Sequence, residues 1–388
     1  MNSWMEYVLS AFLFVLLFLS TVTYFIPVSL HRATYIAEGQ LQLEAEKILN
    51  QLLLSPGDPP NWGSTNISIS ELKSFGLAVS NGEIYSLDVD KLIRVFDFSL
   101  SEFSDIVPIN LSDVLSMLGL KGKYGLYIKL KPALNVSVQK LSDHIYRVVV
   151  ETYEGLPVIN AKIKAVRVSA YFNYENKTVI YVEDVLDEVY TDYDGSATLY
   201  FTEVGSEGHV GFFIVLYVDF HGFSIVSSFI YGNSNYGVII GNDLYVGHID
   251  DDFNPQEIKT KKGKPNDPGG GAIHLLPAAL VVTPKSIEST VLFDGKILPI
   301  TPQGGARPYY KFSLNSLDSD AIMVAFVVKN LGEYKLVVAR RAYNSIEGGV
   351  RGFNENVLAR GVHVRRLVNI CSFLYYFDLI LWRIVEEG

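Results

Sequence analysis

The feature that most constrains this chain is an apolar run near its N-terminus, from Tyr7 to Leu30, that contains no charged residue. As an α-helix this run would be about 36 Å long, which exceeds the roughly 30 Å hydrocarbon layer of a bilayer. A cleaved signal peptide would show a basic start, a shorter apolar core and a small-residue cleavage site, but no Lys or Arg precedes the run. Residues 1–30 are therefore predicted to form a retained transmembrane anchor.

The next segment, residues 31–54, has the spacing of an amphipathic helix. Its apolar residues recur at i, i+4, i+7, i+8 and i+11, which places them on one helix face. These residues are Leu41, Ala45, Ile48, Leu49 and Leu52. The opposite face carries Gln, Glu and Lys, at residues 40, 42, 44, 46 and 47. We expect this helix to dock its apolar face on a folded body.

The sequence LLLSPGDPPNWG, residues 52–63, predicts where that helix ends. Pro56 disfavours helical geometry in the residue before it, and Gly57 allows the chain to turn. The two prolines that follow stiffen the exit, and Trp62 is large enough to pin it onto the body. We interpret the sequence as a joint between a membrane-borne helix and an external body, and residues 52–63 are called the joint below.

Composition predicts a mainly β body. The chain has 24 Tyr and 22 Phe against 4 Met, and aromatic and β-branched residues favour strands. Its formal net charge of −10 argues against nucleic acid as a partner, because phosphate binding needs basic patches. The single cysteine, Cys371, excludes an internal disulfide and multi-cysteine zinc sites, and its apolar surroundings predict a buried structural thiol.

Patterning divides the body into four segments. In order, they are a small α+β unit (55–140), a β-sandwich (141–232), a loop or linker rich in Lys, Pro and Gly (233–272) and a C-terminal β-rich domain (273–388). The first segment contains two predicted short helices, at about 88–95 and 112–118. The final apolar run is interrupted by charges such as Arg365 and Asp378, which favours a buried hairpin over a second membrane span.

Two peptides in the sandwich segment carry a family resemblance. GLPVINAKIKA (155–165) followed by TDYDGSATLYF (191–201) resembles the carboxypeptidase-regulatory and bacterial Ig-like surface modules. The matching residues are Gly155, Pro157, Val158, Ala161, Ile163, Thr191, Asp192, Gly195 and Ala197. The resemblance implies an Ig-like β-sandwich and says little about activity.

Motifs that carry catalysis are missing from the sequence: it has no nucleotide-binding loop, zinc-protease helix or nucleophile elbow. We therefore predict that the chain is not an enzyme and uses no cofactor. Asp250, Asp252 and Asn254 alternate as calcium ligands do, but Pro255 and Lys261 stand where an EF-hand needs Gly and Glu. Calcium is thus the weaker interpretation of these three residues, and a solvated acidic loop is the favoured one.

Two signals bear on which side of the membrane holds the body. A basic residue after the apolar run weakly favours the inside. Four Asn-x-Ser/Thr sequons favour the outside, at Asn66, Asn110, Asn135 and Asn176. We predict a single-pass protein of the cell membrane with an extracytoplasmic body, and treat these four asparagines as candidate N-glycosylation sites.

The first part of the chain resembles the membrane-anchored, pilin-like surface proteins of archaea. They share its order of apolar helix, amphipathic helix, joint, an FGLA-like peptide and a β-rich exterior. The residues that carry the resemblance are Glu44, Leu52, Leu53, Ser55, Pro56, Gly57, Pro59, Asn61, Trp62, Phe75, Gly76 and Leu77. The basic residue and Gly that mark prepilin processing are missing here, so either the start codon is misplaced or the protein is a permanent anchor that never polymerises.

Glu6 has two interpretations. In type IV pilin-like proteins a Glu near the start of the apolar helix neutralises the amino terminus of a neighbouring subunit, and the resemblance implies that assembly role. A carboxylate at the headgroup boundary is the simpler alternative. The function predicted is a pilin-like or envelope-associated structural protein, whose partners are the membrane and other surface or pilus proteins, further copies included. A membrane-tethered enzyme or carbohydrate-binding module is the alternative.

Overall fold

The computed structural model describes most of the chain. The described residues are 3–63, 67–96, 106, 109–231, 234–247, 273–291, 295–297, 300, 309–313, 321–330, 333–341, 346–349 and 361–384. In the N-terminal helices the described side chains are those of residues 4, 7–23 and 38–54.

Helices occupy the N-terminal part of the described chain. They are α1 Ser3–Ser20, a π-helical turn Thr21–Phe25, α2 Ile26–Leu54, a 3-10 turn Ile69–Glu71, α3 Val89–Phe96 and α4 Leu111–Met117. Helices α3 and α4 confirm the two short helices predicted from the sequence. Within the described residues, no helix is both long enough and apolar enough to cross a bilayer, so the transmembrane helix predicted for residues 1–30 is not confirmed.

The amphipathic pattern of α2 matches its packing. All five residues whose spacing predicts one apolar face are buried, and Leu53 is buried beside them. They join the apolar core formed by a C-terminal β-hairpin and the chain around the joint. Neighbouring positions such as Leu43 and Leu54 stay exposed, so one stripe of α2 carries the docking contact.

The rest of the described chain is mainly β, as its composition predicts. The strands are β1 Tyr124–Pro132, β2 Leu134–Lys140, β3 Ile145–Thr152, β4 Lys162–Asn173, β5 Thr178–Tyr190, β6 Ser196–Tyr200, β7 His209–Phe220, β8 Phe223–Tyr231, β9 Ser234–Ile240, β10 Asp243–Val246, β11 Ile273–Val282, β12 Ile287–Val291, β13 Gly295–Ile297, β14 Tyr310–Ser313, β15 Met323–Asn330, β16 Glu333–Arg340, β17 Ile346–Gly349, β18 Val362–Ile370 and β19 Phe373–Arg383.

A three-stranded sheet, β2-β3-β6, packs on a four-stranded sheet, β5-β4-β7-β8, and all pairings within both are antiparallel. Their shared core is apolar and centres on the buried ring of Tyr146, which meets three phenylalanine rings edge-on. The sandwich begins at Leu134 rather than at the predicted residue 141, because Leu134 and Val136 of β2 fill its core.

The turn between β5 and β6 requires a glycine. Gly195 has φ +74°, and a Cβ on it would lie 2.7 Å from the carbonyl oxygen of Val150. A side chain at this position would therefore be strained by the backbone conformation and by its neighbour. The Asp194-Gly195 turn predicted from the sequence therefore packs directly against the backbone of β3.

The second face of the four-stranded sheet packs on a larger sheet of order β12-β11-β15-β16-β9-β10-β14, with β13 paired to β11. Val168 and Phe213 lie in the same core as Leu280 of the large sheet, and Phe172 stacks on Tyr334 with ring centroids 3.8 Å apart. Because β4 and β7 are covered on both faces, β7 is a nearly continuous apolar run and β4 shows only partial alternation.

The predicted linker over residues 233–272 is wrong for its first part. Strands β9 and β10 lie inside the large sheet, where β9 pairs parallel with β16 and antiparallel with β10. Ile239, Leu244 and Val246 are fully buried in its core. The Lys-rich part of the predicted linker, residues 248–272, lies outside the described residues.

A fourth sheet, of order β17-β1-β19-β18, joins the two ends of the body. Strand β1 pairs with β19 from Tyr124 opposite Arg383 to Pro132 opposite Tyr375. The predicted division between a unit at 55–140 and a domain at 273–388 is therefore wrong, because the C-terminal hairpin and β1 belong to one sheet. We call β18 and β19 the closing hairpin.

The closing hairpin confirms the hairpin predicted for the final apolar run. Its turn is formed by Cys371 and Ser372, with φ of +49° and +70°. Cys371 is only half-buried there, which corrects the prediction of a buried thiol. Cys371 is partly exposed because it lies in the turn, although the strands on either side of it are apolar.

Replacing Leu52 by Ala tests whether α2 is docked through its apolar stripe. Leu52 is fully buried, so Leu52→Ala is expected to lower the free energy of unfolding by about 2–5 kcal/mol through lost burial and a new cavity. The matched control, Leu54→Ala on the exposed side of α2, should change it by about 0.5 kcal/mol or less. Denaturant unfolding of the detergent-solubilised chain measures both, and equal losses would contradict this docking.

Candidate functional site

Helix α1 exposes apolar side chains in every direction. All described residues from Tyr7 to Val22 are exposed, and among them Tyr7 is 77%, Phe14 72% and Leu17 66% exposed. A globular surface helix shows one apolar stripe, whereas a helix that is apolar all round is normally covered by protein or lipid. Helix α1 therefore presents a contiguous uncovered apolar surface.

The hydroxyl groups at the end of this apolar segment are bonded within the helix. Ser20 and Thr21 each donate to the carbonyl oxygen of Leu17 at 2.8 Å, and Thr23 donates to that of Leu19. Such bonds satisfy polar side chains without water or a partner helix. The segment is thus compatible with an apolar medium on all sides.

The joint fixes where this helical segment meets the body. Trp62 is fully buried, its indole Nε1 donates to the carbonyl oxygen of Gly76 at 2.9 Å, and its ring lies 5.2 Å from that of Phe75. The backbone N–H of Leu77 donates to the carbonyl oxygen of Leu52 at 2.8 Å. One of the carbonyls that every helix leaves unpaired at its C-terminus is thereby satisfied by the FGLA peptide.

Two glycines make this close contact possible. A Cβ on Gly76 would lie 2.1 Å from the carbonyl oxygen of Ser55. Gly57 has φ +79°, and a Cβ there would lie 2.8 Å from Nε1 of Trp62. A side chain at Gly76 would push residues 75–78 away from the joint, and a side chain at Gly57 would collide with the buried ring of Trp62.

Two buried cations of α3 donate hydrogen bonds to backbone carbonyls of the joint. Lys91 is fully buried, and its Nζ donates to the carbonyl oxygens of Ala78 at 2.7 Å and Pro56 at 3.0 Å. Arg94 donates to the carbonyl oxygens of Trp62 and Ile67. Burial lowers the pKa of both groups, and the Asp88 carboxylate opposes the lowering at Lys91. No motif marks these cations; the one available signal is two cations a helical turn apart among apolar residues.

Asp90 connects α3 to the large sheet. Its Oδ1 lies 4.0 Å from Nε of Arg341, and Arg341 donates to the carbonyl oxygen of Gly241. Burial raises the pKa of Asp90 to about 6; Asp88 adds to this, while Arg341 and the backbone N–H of Gly241 oppose it. The carboxyl group is therefore held in an environment that disfavours its charged form.

A second polar cluster joins the sandwich to the sheet of the closing hairpin. Asp378 is buried; its Oδ1 accepts from Nε of Arg365 at 2.6 Å and lies 3.0 Å from Nε2 of His363, and its Oδ2 accepts from the Tyr153 hydroxyl. Burial alone would raise the pKa of Asp378, but these hydrogen bonds outweigh it and lower that pKa. Burial and the bond to Asp378 raise the pKa of Tyr153. These charge-assisted hydrogen bonds connect the sandwich to the sheet of the closing hairpin.

The site residues predicted from the sequence lie apart from one another. Asn110 precedes α4, Asn135 lies in β2 and Asn176 lies in the turn after β4, and all three side chains are exposed. Asn66, Asp250, Asp252 and Asn254 lie outside the described residues, as does the side chain of Glu6. Among the residues that the structure does describe, no group of three or more His, Cys, Asp or Glu is placed to hold a metal ion.

Comparison with known proteins leaves the family open. No protein-family model matches the chain, and no curated protein is significantly similar to it in sequence. The resemblances stated from motifs therefore remain predictions.

Asp90 gives a pH test of the contact between α3 and the large sheet. Its pKa is about 6 in the folded chain against an ordinary value of 3.8, so the folded state binds one more proton than the unfolded state between these pH values. The free energy of unfolding should then fall as pH rises from about 4 to 6. Asp90→Asn has no carboxyl group to titrate and should not show this fall. The free energy of unfolding of Asp90→Asn minus that of the parent should therefore be larger at pH 7 than at pH 4, by up to about 3 kcal/mol.

Denaturant unfolding of the parent and Asp90→Asn chains at pH 4 and pH 7 measures this difference. Lys73→Ala is the control, because the Lys73–Asp58 pair is exposed and weak. A difference between parent and Asp90→Asn that is the same at both pH values would show that the Asp90 carboxyl is not held as described.

Proposed function

We propose that this chain is a membrane-anchored surface protein. In this proposal the N-terminal helix inserts into lipid and holds the β-rich body outside the cytoplasm, where it acts by contacts with other surface or pilus proteins, further copies included. The observation that carries the proposal is the helix exposed and apolar on every side from Tyr7 to Val22, whose helical backbone runs on, through a π-helical turn, into the docked α2.

Lipid suits this helix better than a protein groove does. A groove would need one apolar face and leave the opposite face to water, but the described side chains of α1 offer no polar face. The uncharged sequence continues to Leu30, and the helical backbone covers all of it. That length, about 36 Å, matches a bilayer core with some tilt.

The joint gives such an anchor a rigid exit. Trp62, Lys91 and Arg94 tie the end of α2 to the body through buried hydrogen bonds. Orientation of the body relative to the membrane then depends on α2 rather than on a flexible linker. A fixed orientation is useful to a structural surface protein, because its lateral contacts need a defined geometry.

Exposed sequons support an extracytoplasmic body. The three described sequon asparagines are all exposed, as N-glycosylation requires. The sandwich over β2–β8 has seven strands in two antiparallel sheets, a strand number and layering that Ig-like modules common on cell-surface proteins also have. We therefore include an Ig-like module in the proposal, in keeping with the motif resemblance.

Alkaline extraction of membranes tests the anchor. The full chain should stay in the membrane pellet at high pH. The double variant Leu13→Lys with Leu17→Lys should move to the supernatant, because each Lys near the centre of a lipid-inserted helix costs about 2.5–3.5 kcal/mol. Both positions are exposed on α1, so the substitutions leave the body's core intact.

The matched control places the same two substitutions on α2. Leu43 and Leu54 are also exposed leucines, and Leu43→Lys with Leu54→Lys should leave the chain in the pellet. Extraction of the unmodified chain, or equal behaviour of the two double variants, would contradict insertion of the N-terminal helix into lipid.

A further inference from the structure

A groove of about 340 Å³ lies where the sandwich meets the sheet of the closing hairpin. Lys131 at the end of β1 forms one wall, and Glu151, Tyr153 and Glu154 at the end of β3 form another. Asn135 of β2 also lines it. The volume is at the lower end of the range of small-ligand sites.

Asn135 is oriented for modification. It lies on β2, an edge strand of its sheet, and its side chain is exposed between the buried Leu134 and Val136. Ser137, which completes the sequon, is exposed on the same face two residues later. The position thus offers both sequon side chains to solvent at the rim of the groove.

The register places a carboxylate next to Asn135. Asn135 pairs directly with Glu151 across β2 and β3, and directly paired residues have Cβ atoms about 5 Å apart. A sugar attached to Asn135 would therefore begin beside the Glu151 side chain and inside the groove rather than above a flat surface.

The lining has the chemistry that a sugar ring needs. Carboxylates of Glu151 and Glu154 accept hydrogen bonds from hydroxyl groups, and the Lys131 ammonium donates to them. The Tyr153 ring forms part of the wall, and its orientation is fixed because its hydroxyl donates to Asp378. Arg365 and Lys131 lie 4.4 and 5.5 Å from the ring centroid. A preformed wall lowers the entropic cost of ordering a ligand.

We propose that Asn135 carries an N-linked glycan whose first sugars lie in this groove and bridge the sandwich to the sheet of the closing hairpin. The inference rests on the proposed function, because N-glycosylation needs an extracytoplasmic body. Attachment makes the contact intramolecular, with an effective concentration in the range of about millimolar, so weak sugar contacts suffice to occupy the groove.

Asn176 provides the contrast within the same chain. It lies in the β4–β5 turn, where residues 174–178 are all exposed. A glycan at the tip of this hairpin leaves the surface. The two sequons therefore differ in what their glycans touch, while the sugar chemistry is the same.

The test uses the full chain, purified in detergent from a host that N-glycosylates exported proteins. Glycopeptide mass spectrometry should find sugar on Asn135. Ser137→Ala removes that sequon and keeps Asn135, and it should lower the Tm of the glycosylated chain by about 2–4 °C. Thr178→Ala, which removes the Asn176 sequon, should shift it by less than about 1 °C. In chain made without glycosylation, both variants should match their parent.

A double-variant cycle checks contact with the groove. Lys131→Ala should cost more Tm in glycosylated chain than in the glycosylated Ser137→Ala background, since only the first holds sugar against Lys131. An additive result, or equal effects of Ser137→Ala and Thr178→Ala, would overturn the groove contact.

Failure of this inference is distinguishable from failure of the proposed function. Sugar on Asn110 or Asn176 but not on Asn135 would overturn the inference and leave the extracytoplasmic body standing. Absence of sugar at every sequon, together with a body that external protease does not reach in intact cells, would overturn both.

Discussion

The docking of α2 on the closing hairpin is the contact on which the rest of this structure depends. It brings the N-terminal helical segment against strands near the other end of the chain, and β1 pairs with β19 to form the sheet beneath it. The joint then fixes the end of α2 through Trp62, whose indole N–H donates to the backbone carbonyl of Gly76 in the FGLA peptide (residues 75–78). The C-terminal end of α2 is thereby held against a folded core.

The buried charges serve this same architecture. Lys91 and Arg94 donate to backbone carbonyls of the joint and of the irregular segments that pack beside it. Asp378 joins the sandwich to the hairpin sheet through Tyr153 and Arg365. Buried ionic groups need such satisfied partners to be tolerated, so these residues define the geometry of the contacts at which units of the body meet.

Local patterns in the sequence predicted the elements that depend on local physics. The stripe of α2, the helices α3 and α4, the Asp194-Gly195 turn and the closing hairpin all follow from periodicity and turn chemistry. Pairing of β1 with β19 did not, because residues so far apart carry no mutual signal in one sequence. Strands β9 and β10 are not predicted by the sequence because Gly and Asn, which disfavour strands, lie in and between them, and packing in the large sheet makes them strands. The backbone carbonyls to which Lys91 donates are not encoded by any residue pattern.

The most direct measurement of the central claim is the side of the membrane on which the body lies. With Cys371→Ser as background, Tyr193→Cys places a single thiol in the sandwich turn, where Tyr193 is 84% exposed. A membrane-impermeant maleimide added to intact cells should label this thiol as completely as it does after permeabilisation. Labelling that appears only after permeabilisation would contradict an extracytoplasmic body and, with it, the proposed surface role.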